Sequence, residues 1–267
     1  MNPRRVFAIV LRYFYLLKGS PARVFSLYVW ITINMVMWGF ISRYLNSVAE
    51  PGFHAVPAFL GAVLLSDFMA RVTFGIVTTF FEDVWSRNFL NMFASPLRIP
   101  EYLAGLVLSG IITSIVGLIL MVGLAMFMFD FMPWSYGLML VPYVLILFLT
   151  GIALGVLGIS LVLRLGPSCE WLVWPIPAII SPFVGVFYPV ASLPHWMQLV
   201  ASALPPTYVF EGMRAILAGH AVMPGDAGLG IALAFGYIFL ACRYFLVTYR
   251  RAVHTGLIAR YSAENAS

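Results

Sequence analysis

Charged residues buried in an apolar run are the first candidates for chemistry in this sequence. Asp67 and Arg71 lie inside FLGAVLLSDFMARVTFGIVTTF (59–80), four residues apart and so on one face of a helix. A charge in the hydrocarbon layer is costly and is kept where it has a use. Three readings stand side by side: a polar element lining a route or joining two protomers, a self-neutralising pair that fixes helix rotation, or a coupling carboxylate at Asp67 in an ion-driven transporter. A second pair, Glu211 and Arg214, sits three apart near the end of a proline-rich stretch. It reads either as an ordinary helix salt bridge or as a pair that steadies a gate. His54, His195, His220 and His254 are dispersed, with no pair at metal-ligand spacing. The sequence holds no G-x-S-x-G, no H-E-x-x-H and no close carboxylate pair placed for acid–base work. A phosphate-binding loop needs G-x-x-x-x-G-K-[ST], but the single lysine, Lys18, follows Leu17. Any ATP chemistry is therefore expected on another polypeptide.

The elements that must hold these residues are membrane spans. Of 267 residues 62% are hydrophobic and 9% charged, with mean hydropathy +0.97. A soluble domain carries roughly 25% charged residues, and no polar stretch here is long enough to build one. The sequence predicts an all-α polytopic membrane protein with six transmembrane helices at 24–45, 57–80, 103–129, 137–163, 171–189 and 227–248, the fifth broken by Pro175, Pro177 and Pro182. Gly151, Gly155 and Gly158 on the fourth span allow close helix contact. Residues 3–19 space Val6, Ile9, Val10, Tyr13, Phe14 and Leu17 at helical intervals, with Arg5, Arg12 and Lys18 mostly elsewhere. They read as an interfacial helix with its arginines towards anionic headgroups, or as the cytoplasmic start of the first span. Arg4, Arg5, Arg12 and Lys18 interrupt any signal-peptide core.

Eleven cations fall on one predicted face, in the N-terminal segment, the 2–3 and 4–5 loops and the tail, against Arg43 and Arg214 on the other. The positive-inside rule then puts both termini in the cytoplasm. The net charge of +5 thus describes cytoplasmic loops rather than nucleic-acid binding. Cys169 and Cys242 fall on the cytoplasmic side and are expected as free thiols.

Two stretches fit neither a span nor a tight turn. Pro182–Gly219 is cut by Pro189, Pro194, Pro205 and Pro206, leaving two short helices at about 192–203 and 206–218. They form an extracytoplasmic re-entrant helical hairpin (192–218), because lipid does not tolerate unpaired backbone. Trp134, Tyr188, Trp196 and Tyr208 suit an outer aromatic belt. The loop FEDVWSRNFLNMFASPLRIPEYLAG (81–105) contains an expected amphipathic helix at 83–94, facing either a partner or the membrane surface.

The order E-D-x-W (82–85), S-P-L-x-x-x-E-Y (95–102), L-P-x-W (193–196), L-P-P-T-Y (204–208) and E-G-x-R (211–214) across six spans resembles the ABC-2 type permeases, the membrane subunits of ATP-driven exporters. The resemblance implies two permease copies, expected as a homodimer, working with two ATP-binding cassette ATPase subunits that carry the ATP and Mg. This chain would then be a transport subunit with no catalytic site, metal or cofactor of its own. The resemblance makes 83–94 a coupling helix, with Glu82, Asp83, Trp85 and Arg87 as ATPase contacts. It also makes the hairpin an outer gate shaped by Pro194, Trp196, Pro205, Glu211 and Arg214. The expected location is a bacterial-type inner membrane, among its lipids. The apolar spans favour export of a hydrophobic or amphiphilic substrate such as a drug, a lipid or a lipid-linked glycan. Polysaccharide export is the runner-up, and a secondary transporter using Asp67 or a membrane scaffold stands further off.

Overall fold

The computed structural model describes residues 2–48, 59–86, 97–220 and 224–254. Among these the regular structure is helical: α1 (Pro3–Lys18), α2 (Pro21–Val48), α3 (Gly61–Trp85), α4 (Ile99–Phe129), α5 (Leu140–Leu165), α6 (Ile176–Val184), α7 (His195–Ala203), α8 (Pro205–Leu217) and α9 (Pro224–His254). Short 3-10 turns precede α5 (Pro133–Met139), α6 (Pro167–Leu172) and α7 (Val190–Ser192). Helices α3, α4, α5 and α9 are long and apolar enough to cross a bilayer. The chain is a multi-pass membrane protein.

Local sequence explains where these helices start and stop. Asn2 caps α1 by accepting the Arg4 amide at 3.1 Å, and Pro3 occupies the first turn, where a missing N–H costs nothing. At the start of α4, Pro100 sits in the first turn and Glu101 reaches back to accept the Arg98 amide at 3.1 Å. Helix α6 ends at Gly185, whose φ of 66° is the left-handed conformation that glycine adopts without strain.

Two expected boundaries differ in detail. The stretch 171–189, expected as a span broken by Pro175, Pro177 and Pro182, is interrupted at residues 173–175, and Pro182 lies inside a helix. The chain makes the 3-10 turn Pro167–Leu172, turns through residues 173–175 and only then forms the nine-residue α6. Pro175 and Pro177 lack the amide donors a continuous helix needs, and Gly185 stops it. At about 1.5 Å per residue, α6 alone reaches only about 14 Å. The other difference lies at the end of α3, which runs unbroken to Trp85 because no helix breaker separates Phe80 from it. Glu82, Asp83 and Trp85 therefore ride on the last turn of a span. The rest of the expected 83–94 helix, with Arg87, lies outside the described residues, as does His54.

Helix α3 is the centre of the bundle. It packs against α4 on one side and α5 on the other, α9 lies along α5, and α8 wedges between α9 and α5. Its contact with α5 is made at glycine. A Cβ on Gly151 would stand 2.6 Å from the Val72 Cβ and 2.8 Å from the Met69 carbonyl oxygen. The Thr73 hydroxyl donates across this seam to the Gly151 carbonyl at 3.2 Å, as well as to Met69 on its own helix. Small residues give helices in lipid the close approach that a hydrophobic driving force cannot supply there.

Gly151→Leu should therefore destabilise the purified protein by about 1–3 kcal/mol, lowering its thermal midpoint by about 5 °C. Gly123→Leu on α4 has open space around the new Cβ and should leave the midpoint nearly unchanged. Equal melting of the two variants in detergent would show that the α3–α5 seam is not tightly packed.

Candidate functional site

Three clusters gather the residues singled out by type and spacing, and each ties together segments far apart in the chain.

The first is at the α3–α4 end of the bundle. Asp83 is 3% exposed and its carboxylate is shared between two helices: Arg12 of α1 donates to Oδ1 in a close ion pair, and the Tyr102 hydroxyl of α4 donates to Oδ2 at 2.8 Å. One turn away, Glu101 accepts three bonds. The Asn2 amide donates to it at 2.8 Å, the Arg98 amide at 3.1 Å and Arg5 Nη1 at 3.3 Å. Ile9, Val10 and Tyr13 are buried beneath these polar contacts. Helix α1 thus lies across the ends of α3 and α4. Arg5 and Arg12 meet carboxylates of the protein rather than only headgroups, whereas Arg4 and Lys18 are exposed.

This placement bears on the four expected ATPase contacts. Glu82 is 8% exposed, and Asp83 is held within the chain. Trp85 is 48% exposed. Its indole N–H donates to Glu170 Oε2 at 3.1 Å, and its ring stacks on Phe81 with centroids 5.5 Å apart. Glu101, Tyr102 and Glu170 were not picked out individually. The S-P-L-x-x-x-E-Y string contains the first two, but sequence gives no sign that they would face α1 or Asp83.

The second cluster is the intramembrane pair. Arg71 Nε and Nη2 both reach Asp67 Oδ2 at 2.8 Å, and Nε also points at Met121 Sδ at 3.2 Å. The pair is neutral as a unit and ties α3 to α4. It borders two cavities: one of about 450 Å³ on the Arg71 side, lined by α1, α2, α3, α4 and Trp174, and one of about 270 Å³ on the Asp67 side, between α2, α3 and the α6 region. The larger is within the size range of sites for small molecules.

The third cluster fastens the proline-rich region. Glu211 and Arg214 on α8 form a 2.8 Å ion pair, and both also grip the loop after α6. The Val190 amide donates to Glu211 Oε1 at 2.7 Å, and Arg214 Nη1 donates to the Gly185 carbonyl at 2.6 Å. The salt bridge alone is worth a few tenths of a kcal/mol, so the grip on residues 185–190 is its larger consequence. Pro194 caps α7 and Pro205 opens α8. Trp196 meets Phe183 edge-on at 6.1 Å. Phe187, from the gripped loop, stacks on Trp38 of α2 at 5.1 Å.

A family model described as ABC-2 type transporter matches residues 6–218. No curated protein matches the chain.

The Asp83 cluster makes a specific prediction. Arg12→Leu leaves a buried carboxylate short of its cation and should cost on the order of 2–3 kcal/mol. It should also raise amide hydrogen exchange across residues 3–18 as α1 loosens. Arg12→Leu with Asp83→Leu should recover part of the loss. A double variant no better than Arg12→Leu alone, with exchange in α1 unchanged, would show that the ion pair does not hold α1.

Proposed function

The chain belongs to the ABC-2 type transporter family as a membrane permease subunit, and on that premise we propose that it exports a hydrophobic or amphiphilic substrate, driven by a separate ATP-binding cassette ATPase. Two permease copies form the transporter, and ATP and Mg are held by the partner subunits. Six membrane crossings, both termini in the cytoplasm and a re-entrant α7–α8 hairpin at the outer face complete the reading. The positive-inside count supports this orientation, and so does the common end shared by α1, the end of α3 and the start of α4. The Arg164–Tyr244 hydrogen bond of 3.0 Å adds the end of α5 and the C-terminal part of α9 to that end.

The observation that carries the reading is the Asp83 junction. A force applied just beyond Trp85 meets α1, α3 and α4 fastened to one carboxylate, so it moves them as one body instead of fraying a helix end. The Arg71 and Asp67 cavities lie on the same α3 and would change shape with it. In this reading Trp85 and Arg87 make contact with the ATPase, while Glu82 and Asp83 hold the lever together from inside. Glu211 and Arg214, gripping residues 185–190, keep the outer end closed until the lever moves.

The cavity linings support an amphiphile. Aromatic rings including Tyr28, Trp30 and Phe74 share the wall of the larger cavity with a polar group set of Arg71, Thr78, Glu82, Thr113 and Ser114. Exposed Trp134 and Trp196 on the hairpin side, 76% and 59% accessible, favour polysaccharide export as the second reading. Flat sugar faces stack on such rings.

Affinity purification of the tagged chain in mild detergent, followed by an ATPase assay, tests the proposal. An ATPase subunit should accompany the native chain. Trp85→Ala should weaken that association about 30-fold, as loss of an interface tryptophan worth ~2 kcal/mol does. Activity stimulated by amphiphiles but not by oligosaccharides would select the first reading over the second. If no ATPase is recovered and solute flux follows a proton gradient, the permease is not ATP-driven.

Glu211→Ala removes both the salt bridge and the anchor for the Val190 amide. It should raise ATP-independent leak of substrate from loaded vesicles while leaving ATPase association intact. Unchanged leak would detach the clasp from gating.

A further inference from the structure

The two cavities share a wall, and it is made of two rings. Phe74 and Trp174 line both the larger chamber and the smaller one. Their centroids lie 5.3 Å apart with the planes inclined by 44°, within the range of a favourable aromatic pair. The polar groups divide on either side of it. Arg71, Thr78, Thr113 and Glu82 face the larger chamber, and Asn34, Ser66, Asp67 and Ser181 the smaller. The Asp67–Arg71 ion pair thus straddles the ring pair, contributing its cation to one chamber and its carboxylate to the other.

Ordinary core packing does not account for this arrangement. Val72, Thr73, Ile76 and Val77, the neighbours of Phe74 on α3, are fully buried, whereas Phe74 and Trp174 are only partly so. The rings separate two spaces rather than filling one. Trp174 also lies on the turn at 173–175, between a 3-10 turn and a nine-residue helix, and not within a long span. A ring carried on such a segment can shift without moving a whole transmembrane helix.

The same segment is connected to the end of α3. Trp174 stacks on Phe81 at 6.3 Å, and Phe81 stacks on Trp85 at 5.5 Å. Glu170, four residues before Trp174, accepts the Trp85 indole N–H. A continuous row of rings, Trp85–Phe81–Trp174–Phe74, therefore runs from the exposed end of α3 to the wall between the chambers.

We propose that Phe74 and Trp174 form the inner gate of the transport route, a two-ring partition between a cytoplasmic loading chamber and an outer chamber, displaced when Trp85 and the Glu170 segment move. The proposal rests on the permease reading and adds to it the residues that block the path. The gate is distinct from the outer clasp at Glu211 and Arg214, which holds the loop carrying Phe187 over the far end of the smaller chamber.

Chamber cysteines test the partition without requiring an identified substrate. In a Cys169→Ser, Cys242→Ser background of the complete complex in vesicles, Thr113→Cys reports on the inner chamber and Ser181→Cys on the outer. A membrane-impermeant maleimide should modify Thr113→Cys from the cytoplasmic face only and Ser181→Cys from the outer face only. Adding Trp174→Ala, or Phe74→Leu if that variant does not fold, should bring labelling from the far face from undetectable to a rate comparable with that from the near face. Trp174→Phe, which keeps a ring, should restore one-sided labelling. Two-sided labelling in the native-ring background, inert cysteines in every background, or one-sided labelling that survives both ring truncations would each overturn the partition. ATP hydrolysis by the ATPase subunit that co-purifies with the chain keeps the outcomes apart. A bound, active ATPase with the wrong labelling pattern removes only the gate, whereas absence of any associated ATPase removes the permease reading beneath it.

Discussion

A carboxylate withdrawn from water must be met by a cation and by hydrogen bonds, and at Asp83 that requirement organises one end of the molecule. Arg12 supplies the cation from α1, and the Tyr102 hydroxyl supplies a neutral donor from α4. Removing either partner would leave the charge short of what it lost to burial, so neither α1 nor α4 can drift from α3 at low cost. Helix α1 is thereby fixed in place although its outer side, with Phe7 and Tyr15 more than half exposed, faces away from the bundle. Glu101, the chain neighbour of Tyr102, repeats the logic by accepting from the amides of Asn2 and Arg98 and from Arg5. Two acids therefore turn an amphipathic helix into a strap across two membrane helices.

Much of this architecture was legible in the sequence, because its strongest signals are local. Long apolar runs marked α3, α4, α5 and α9. The spacing of Ile9, Val10 and Tyr13 marked the inward face of α1. Pro194, Pro205 and Pro206 marked the breaks around α7 and α8. What could not be read were partnerships across the chain. Arg12 and Asp83 are 71 residues apart, and nothing at either position announces the other. The resemblance groups Glu82 and Asp83 with Trp85 by position along the chain, and position alone does not reveal that Asp83 turns inward to Arg12. The breaks in 171–189 were legible too, but not their position: the chain turns through residues 173–175, whereas Pro182 is carried inside α6.

The prolines alone would leave the region after α6 as loosely joined short helices, since each break removes backbone hydrogen bonds. The lost order is restored by side chains. Glu211 and Arg214 supply an acceptor and a donor to Val190 and Gly185, and Gln198 Nε2 donates to the carbonyls of Ala191 at 3.3 Å and Leu193 at 2.8 Å. Contacts of this kind are individually weak and independently breakable, unlike a helical ladder, which opens cooperatively. A segment held in this way can be firm at rest and still yield to a modest force.

The intramembrane pair shows the same economy at the centre of the bundle. As two separate charges, Asp67 and Arg71 would each carry a large transfer penalty. At i, i+4 on one helix, with two nitrogens converging on Oδ2, they enter lipid as one dipolar unit. The face of α3 that carries the pair is the one that meets both Met121 and the cavities. The rotation that lets Arg71 reach Met121 is the rotation that turns Phe74, three residues on, towards Trp174. With 15% and 21% of its two side chains accessible, the pair is screened less than one on the surface, so it holds Arg71 and the face beside it in one arrangement more firmly than an exposed pair would.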